Sequence, residues 1–173
     1  RVTPAYRQAV LDAVAELGYR RDRIARSLRA RQSQILGLII SDIQNPFFTS
    51  VLRGVEDIAY ERDYTVLLCN SDENPLKERL YLDIMISERV AGVIVTPARE
   101  TNNYSQVVVK AGIPVVAVDR RMLDLKVDTV VVDSTEGAYR AVEHLLRLGH
   151  RRIAFIGGPP EVMTAQERKE GYL

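Results

Sequence analysis

Short apolar runs alternate with longer amphipathic stretches over most of the chain, from Ile35 onward. Residues that are apolar at successive positions are typical of a strand covered on both faces, as in a parallel sheet. Stretches with apolar residues three or four positions apart are typical of helices that pack on such a sheet. The pattern predicts strands at 35–41, 65–70, 91–96, 114–119, 129–133 and 152–157, and helices at 46–62, 75–88, 103–111, 136–148 and from 164 onward. This alternation predicts an α/β fold with a parallel sheet and right-handed crossovers.

The first 34 residues follow a different pattern, which predicts two helices and a polar joint. Thr3 and Pro4 suit the N-cap and first turn of a helix, and Gly18 suits its end. A shorter helix is predicted from Asp22 to Arg31, followed by the joint at 32–34. This second helix carries a narrow apolar stripe surrounded by arginines, namely Ile24, Ala25 and Leu28 with Arg23, Arg26 and Arg29.

Charge is distributed unevenly, although the formal net charge is only +1. Residues 1–31 contain eight arginines and three acidic residues, whereas acidic residues outnumber basic ones in the rest of the chain. Such a basic segment predicts an anionic partner, and arginine makes forked contacts to phosphate. The chain has one cysteine, no apolar run long enough to span a membrane and no apolar leader. We therefore expect a cytoplasmic protein without a disulfide or a membrane partner.

Polar side chains follow each of the first four predicted strands, at the edge where a parallel sheet binds its ligands. Carboxylates and amides can bind hydroxyl groups, and an aromatic ring can cover the apolar face of a sugar or a base. The residues are Asp42 to Phe48 after the first strand, Asn70 to Asp72 after the second, Thr96 and Pro97 after the third, and Asp119 to Arg121 after the fourth. The set suits a small polyhydroxylated or heterocyclic ligand. The same residue types also occur in ordinary turns, and the pattern leaves both interpretations open.

The motifs of enzymes and metal sites do not occur in the chain. There is no glycine-rich dinucleotide or phosphate loop and no nucleophile elbow. His144 and His150 have no partner at the spacing of a metal site or a catalytic triad. We therefore predict a protein that is not an enzyme, with no catalytic residue, no metal site and no cofactor.

Four segments, in this order, resemble bacterial transcription regulators of the lactose-repressor family: TPAYRQAVLDAVAELGYR, DRIARSLRARQSQILGLIISDIQNPFF, GAYRAVEHLLRLGHRRIAFIGGPP and TAQERKEGY. The resemblance implies the last helix of a helix-turn-helix headpiece, then a hinge helix, then a body similar to a periplasmic sugar-binding protein, whose two lobes close on a ligand. The expected divisions are a partial headpiece at 1–20, the hinge helix and linker at 21–34, the first lobe at 35–132 and the start of a truncated second lobe at 133–173. The start of the headpiece and most of the second lobe are expected to lie outside this chain.

The resemblance also implies roles for individual residues. Leu28 matches the hinge leucine that wedges into the minor groove of operator DNA, and Ala25 and Arg29 match neighbouring hinge positions that face the groove. Together with the candidates from the residue pattern, the predicted DNA-binding residues are Arg23, Ala25, Arg26, Leu28 and Arg29, and the predicted effector-binding residues are Asn45, Phe47, Phe48, Asp119, Thr164 and Arg168. Gln166 stands where the family usually has an arginine, which leaves the class of ligand open.

The resulting prediction is a ligand-responsive, DNA-binding transcription regulator that acts as a repressor on the bacterial nucleoid. It is expected to bind operator DNA as a homodimer or a dimer of dimers, with a sugar or similar effector between its lobes. A periplasmic sugar-binding transport protein has the same body, but the basic segment at 20–31 counts against it. An enzyme acting on nucleotide sugars or phosphoribosyl groups would need one of the missing motifs. The effector, the operator and the choice between induction and corepression stay open.

Overall fold

The structure is a computed structural model that describes residues 3–17, 33–101 and 104–173. The chain divides into two compact units, residues 1–33 and residues 34–173. The predicted hinge helix and the candidate DNA-binding residues Arg23, Ala25, Arg26, Leu28 and Arg29 lie outside the described residues.

The first unit contains one described helix, α1 (Pro4–Glu16). Pro4 occupies its first turn, where the missing backbone N–H costs nothing because no carbonyl is available to accept from it. Thr3 holds the N-cap position in an extended conformation, but its side chain makes no capping hydrogen bond, contrary to the prediction. No residue of α1 is buried. The predicted terminator, Gly18, is outside the described residues.

The second unit is built on a parallel five-stranded sheet, which confirms the predicted fold class. The strands are β1 (Ile35–Ile40), β2 (Thr65–Asn70), β3 (Gly92–Val95), β4 (Val115–Val118) and β5 (Asp128–Val130), in the spatial order β2-β1-β3-β4-β5. The helices are α2 (Pro46–Glu61), α3 (Pro75–Ser87), α4 (Ser105–Lys110), α5 (Ser134–Arg147) and α6 (Met163–Tyr172). Most boundaries lie within two residues of the predicted ones, and β5 is shorter than predicted.

Helices cover both faces of this sheet because alternate residues of β1 point to opposite sides. Leu38 and Ile40 pack with Phe48 of α2 on one face. Ile39 packs on the other face with residues of α3 such as Met85. The continuous apolar character of the strand is therefore explained by two separate cores rather than one.

The predicted strand at 152–157 is wrong: residues 151–159 form no regular structure. A strand needs a neighbouring backbone to pair with, and the described sheet ends at β5. Ile156 is consequently 97% exposed. The segment is held instead by Tyr172, whose hydroxyl donates to the carbonyl of Ile153 at 2.8 Å and whose ring stacks on Phe155. Residues 152–157 therefore have the apolar pattern of a strand but no neighbouring strand among the described residues with which to pair.

Three helices of the second unit begin with a side-chain cap. Asn45 accepts from the backbone N–H of Phe47, Asn74 caps α3, and Asp133 caps α5. At the other end of α5, Gly149 adopts a φ of 91° just after the helix, a left-handed conformation that is common where a helix ends. Among the described residues, no helix is long and apolar enough to cross a membrane.

We predict that Gly171→Ala destabilises the packing of α6 on α5. A Cβ at this position would lie 2.1 Å from the carbonyl oxygen of Thr135 and 2.9 Å from the Cβ of Ala138. Because one of these atoms is rigid backbone, we expect the free energy of unfolding to fall by about 1–3 kcal/mol, measured by urea denaturation. The control is Gly137→Ala on α5, where an added Cβ meets nothing within 4 Å. This control should gain about 0.5–1 kcal/mol, and equal effects of the two substitutions would contradict the close contact.

Candidate functional site

A cavity of about 440 Å³ lies at the carboxyl end of the sheet, within the second unit. Phe47 reaches it from the start of α2, Asp119 from the end of β4, and Arg168 from α6. The side formed by α5 is mostly small and apolar, with Ala138 and Ala141. The cavity thus combines an aromatic ring, an anion, a cation and an apolar surface, a combination that can orient a small polar ligand.

Asp119 is held by the backbone at the point where β4 ends. Its φ is 70°, in the left-handed region that aspartate tolerates better than most residues. Its backbone N–H donates to the carbonyl of Val130 at 2.9 Å, which ties this turn to β5. Only 8% of the residue is exposed. Burial raises the pKa of the Asp119 carboxyl above its ordinary value, and the cations Arg120 and Arg168 act in the opposite direction.

Arg120, the next residue, is buried and joins three strand ends. Its two terminal nitrogens bind the Glu73 carboxylate in a forked pair, at 2.5 and 2.6 Å. One of them also donates to the carbonyl of Pro97 at 3.2 Å. Its Nε lies 3.5 Å from Oδ2 of Asp119. This contact is electrostatic, because Nε has no hydrogen-bond acceptor among the described residues.

Glu73 was missed by the sequence analysis. It is in the loop after β2, a strand that two others separate from β4 in the sheet order, so that nothing local in the sequence connects it to Arg120. The available signal was the rule that all parallel strands end at one edge, which brings the loops after β2, β3 and β4 close together. Arg120, in the loop after β4, binds residues of the other two loops and so joins all three next to Asp119.

The aromatic pair after β1 is divided between the cavity and the core. Phe47 is 36% exposed and lines the cavity. Phe48 is 3% exposed and packs against Leu38 and Ile40, which corrects the expectation that both rings face the ligand. The two rings meet edge to face with their centroids 5.1 Å apart. Asn45 does not line the cavity, and its side-chain oxygen is used as the cap of α2.

The two candidates on α6 also differ in position. Arg168 lines the cavity, whereas Thr164 is 5% exposed and does not. One turn after Thr164, the carboxylate of Glu167 forms an ion pair with the guanidinium of Arg121 at 2.9 Å. This ion pair connects α6 with the turn after β4, so the two sides of the cavity are linked by charge. Gln166, the position that departs from the family pattern, donates to the carbonyl of Pro160.

A second, smaller cavity of about 340 Å³ lies between the loops after β1 and β2. Its polar groups mostly bind one another: Asn70 accepts from the N–H of Ile43 at 3.0 Å and donates to Asp72 at 2.6 Å. Asp72 also pairs with Lys77. These hydrogen bonds and this ion pair stabilise the loops and leave few polar groups to bind a ligand. Within the described part of the chain, no group of three or more His, Cys, Asp or Glu is placed to hold a metal ion.

Comparison with known proteins agrees with this architecture. Residues 33–173 match the family described as periplasmic binding proteins and sugar binding domain of the LacI family. The chain is 43% identical to a ribose operon repressor of Halalkalibacterium halodurans over 169 residues, which cover 95% of this chain and 49% of the repressor. The chain therefore spans about half the length of the curated relatives it matches.

Two solved structures show the same fold with ligands bound. A periplasmic binding protein/LacI transcriptional regulator from Alkaliphilus metalliredigens, complexed with D-xylulofuranose, has a TM-score of 0.72 at 33% identity, covering 81% of this chain and 51% of that one. The Cra transcriptional dual regulator from Pseudomonas putida, in complex with fructose 1-phosphate, has a TM-score of 0.75 at 28% identity, covering 80% and 52%.

We predict that Asp119→Asn stabilises the fold at neutral pH. A carboxyl whose pKa is raised by folding costs free energy when ionised, so stability is greatest at acidic pH and falls as pH rises through the unfolded and then the folded pKa. Asparagine removes the charge and tolerates the left-handed conformation. The free energy of unfolding should rise by about 1 kcal/mol at pH 7, and the gain should shrink on acidification. Urea denaturation at both pH values tests this, with the exposed Asp128→Asn as control. A gain that persists unchanged at acidic pH would contradict the electrostatic cause.

Proposed function

Because the chain belongs to the family of periplasmic binding proteins and LacI-type sugar-binding domains, we propose that it is the effector-binding part of a ligand-responsive, DNA-binding transcription regulator that acts as a repressor. The observation that carries the proposal is the cavity shared by Phe47, Asp119 and Arg168. These residues come from elements on either side of the cavity, so a bound ligand contacts both sides at once.

The proposed effector is a sugar or a closely related polyhydroxylated molecule. The exposed ring of Phe47 can cover the apolar face of such a ligand. The Asp119 carboxylate can accept hydrogen bonds from ligand hydroxyls, and the Arg168 guanidinium can donate to ligand oxygens. A cavity of about 440 Å³ is within the range for a small-molecule site.

The proposed response to the effector is a shift between two arrangements of the cavity walls. A ligand that contacts Asp119 on one side and Arg168 on the other binds best to the arrangement that brings them together. The free energy of this preference biases the position of α6 relative to the sheet. In the whole protein, the same shift would change how readily the hinge segment binds operator DNA.

DNA binding itself is proposed for the basic segment at 20–31. The supporting observations are its arginines, the apolar stripe that includes Leu28 and Ala25, and the name of the relative, a ribose operon repressor. Arginines at 23, 26 and 29 would contact phosphates, which gives affinity without sequence preference. The leucine would be inserted between base pairs in the minor groove. Binding of this kind would take place on the nucleoid, in the cytoplasm of a bacterial cell.

A homodimer, or a dimer of dimers, is part of the proposal. An apolar stripe on α3 supports it, because Leu76, Leu80 and Ile84 are 76%, 56% and 38% exposed and lie four residues apart. In an antiparallel pair of α3 helices centred on Leu80, the three apolar side chains of one copy would pack against those of the other.

A transport protein with the same body is the alternative reading. The basic segment at 20–31 has no evident use in such a protein, and the relatives described above carry the names of regulators. An enzyme receives no support from the motifs or from the names of these relatives.

We expect Asp119→Ala to weaken effector binding at least tenfold, because a hydrogen bond to a charged group contributes about 1.5–3 kcal/mol. Calorimetry on the protein at its natural length, with a panel of pentoses, hexoses and their phosphates, measures the affinity. Glu56→Ala on the exposed face of α2 is the charge-matched control and should leave the affinity unchanged. The proposed effector site would be contradicted if the parent protein bound no compound in the panel. It would also be contradicted if the Asp119 variant bound the effector as tightly as the parent.

We expect Leu28→Ala to weaken binding to operator DNA by about 1–3 kcal/mol, the usual scale for a lost base-step contact. Binding to random DNA should hardly change, because it depends on arginine–phosphate pairs. Arg29→Ala should instead reduce the salt dependence on both DNAs. Fluorescence anisotropy with the protein at its natural length separates the two effects. An equal loss for Leu28→Ala on operator and random DNA would exclude the wedge.

A further inference from the structure

The position of Arg120 is determined by a residue that does not touch the cavity. Arg120 has two acidic neighbours in reach: Glu73, which takes both terminal nitrogens, and Asp119, which lies 3.5 Å from Nε. Asp119 lines the cavity, but Arg120 and Glu73 do not. The forked pair therefore points the strongest hydrogen-bond donors of Arg120 away from the carboxylate that faces the ligand.

Removal of Glu73 would change the partner of Arg120. The guanidinium is 6% exposed while the half-exposed Glu73 side chain covers it, so without Glu73 its terminal nitrogens need another acceptor. Glu78 is also buried near Arg120, but one of its oxygens accepts from the backbone N–H of Ala98 at 2.6 Å. The Asp119 carboxylate, in contrast, already lies 3.5 Å from Nε of Arg120. A forked pair with it would occupy the oxygens that a ligand needs.

We propose that Glu73 is a positioning residue for the effector site: by holding the terminal nitrogens of Arg120, it keeps the Asp119 carboxylate available to ligand hydroxyls. This inference rests on the proposed effector-binding function of the cavity. It adds a residue that acts through Arg120 and contacts no ligand itself.

The charges around Asp119 give this inference a second readout. Two cations, Arg120 and Arg168, and two anions, Glu73 and Glu167, act on its carboxyl. Loss of Glu73 removes one anion and lets Arg120 move closer, and both changes favour the ionised carboxylate. The pKa of Asp119 should therefore fall in the Glu73 variant, even when no ligand is present.

The matched control is the neighbouring residue. Asp72 and Glu73 are consecutive, and both have left-handed backbones, with φ of 51° and 57°. Alanine at either position therefore introduces similar backbone strain. Asp72 pairs with Lys77 rather than with Arg120. A simple disturbance of the loop would affect both variants alike, whereas the proposed role of Glu73 would not.

The test is a double-mutant cycle on the protein at its natural length. We expect Glu73→Ala to reduce affinity for the sugar that the parent binds about tenfold, on the scale of one charged hydrogen bond, and Asp72→Ala to change it less than about twofold. Glu73→Gln, which keeps one acceptor for Arg120, should recover most of the affinity. In an Arg120→Met background, Glu73→Ala should have no further effect, because the competing guanidinium is gone.

Carbon-13 NMR of the Asp119 carboxyl in the ligand-free protein provides the second arm. The pKa should fall in Glu73→Ala and stay at the parent value in Asp72→Ala. This arm separates the inference from the proposed function, since it requires no effector. An equal loss of affinity in Asp72→Ala, an unchanged Asp119 pKa in Glu73→Ala, or abolished sugar binding in Arg120→Met alone would overturn the inference. The last result would make Arg120 itself a ligand contact.

Discussion

The parallel sheet that is covered on both faces is the constraint on which the rest of the structure depends. Because α2 packs on one face and α3 and α4 on the other, polar side chains are excluded from the strand interiors and collect where the strands end. Every strand of a parallel sheet ends at the same edge. The loops after β2, β3 and β4 therefore meet, although long stretches of chain separate Glu73, Pro97 and Arg120.

Burial at that edge gives the charged groups their properties. Arg120 is buried and needs a carboxylate, and Glu73 provides one in forked geometry. Burial raises the pKa of the Asp119 carboxyl, and the cations Arg120 and Arg168, which also have other carboxylates near them, offset this only in part. A carboxylate that is desolvated without a full partner costs stability and is ready to accept hydrogen bonds from a ligand. The site thus uses free energy of folding for binding.

The contacts between the two sides of the cavity are few and polar. Arg121 and Glu167 form the ion pair that connects the turn after β4 with α6. Gly171 permits the close approach of α6 to α5, so these two helices pack closely together. A ligand between Asp119 and Arg168 would therefore bridge the end of β4 and this helix pair, as the proposed regulatory response requires.

The sequence by itself determined the α/β class, the positions of β1 to β5 and of the described helices within a few residues, and the rim on which Asp119 and Phe47 lie, because apolar periodicity and turn chemistry are local properties. Tertiary structure alone decided which of the adjacent rings, Phe47 or Phe48, faces the cavity, since this depends on the rotation of α2 against the sheet. It also decided that 152–157 forms no strand among the described residues, because none of the strands of the described sheet pairs with this segment. The pairing of Glu73 with Arg120 is likewise absent from any local pattern: it follows from the spatial order β2-β1-β3-β4-β5, which sets residues 47 positions apart at one edge.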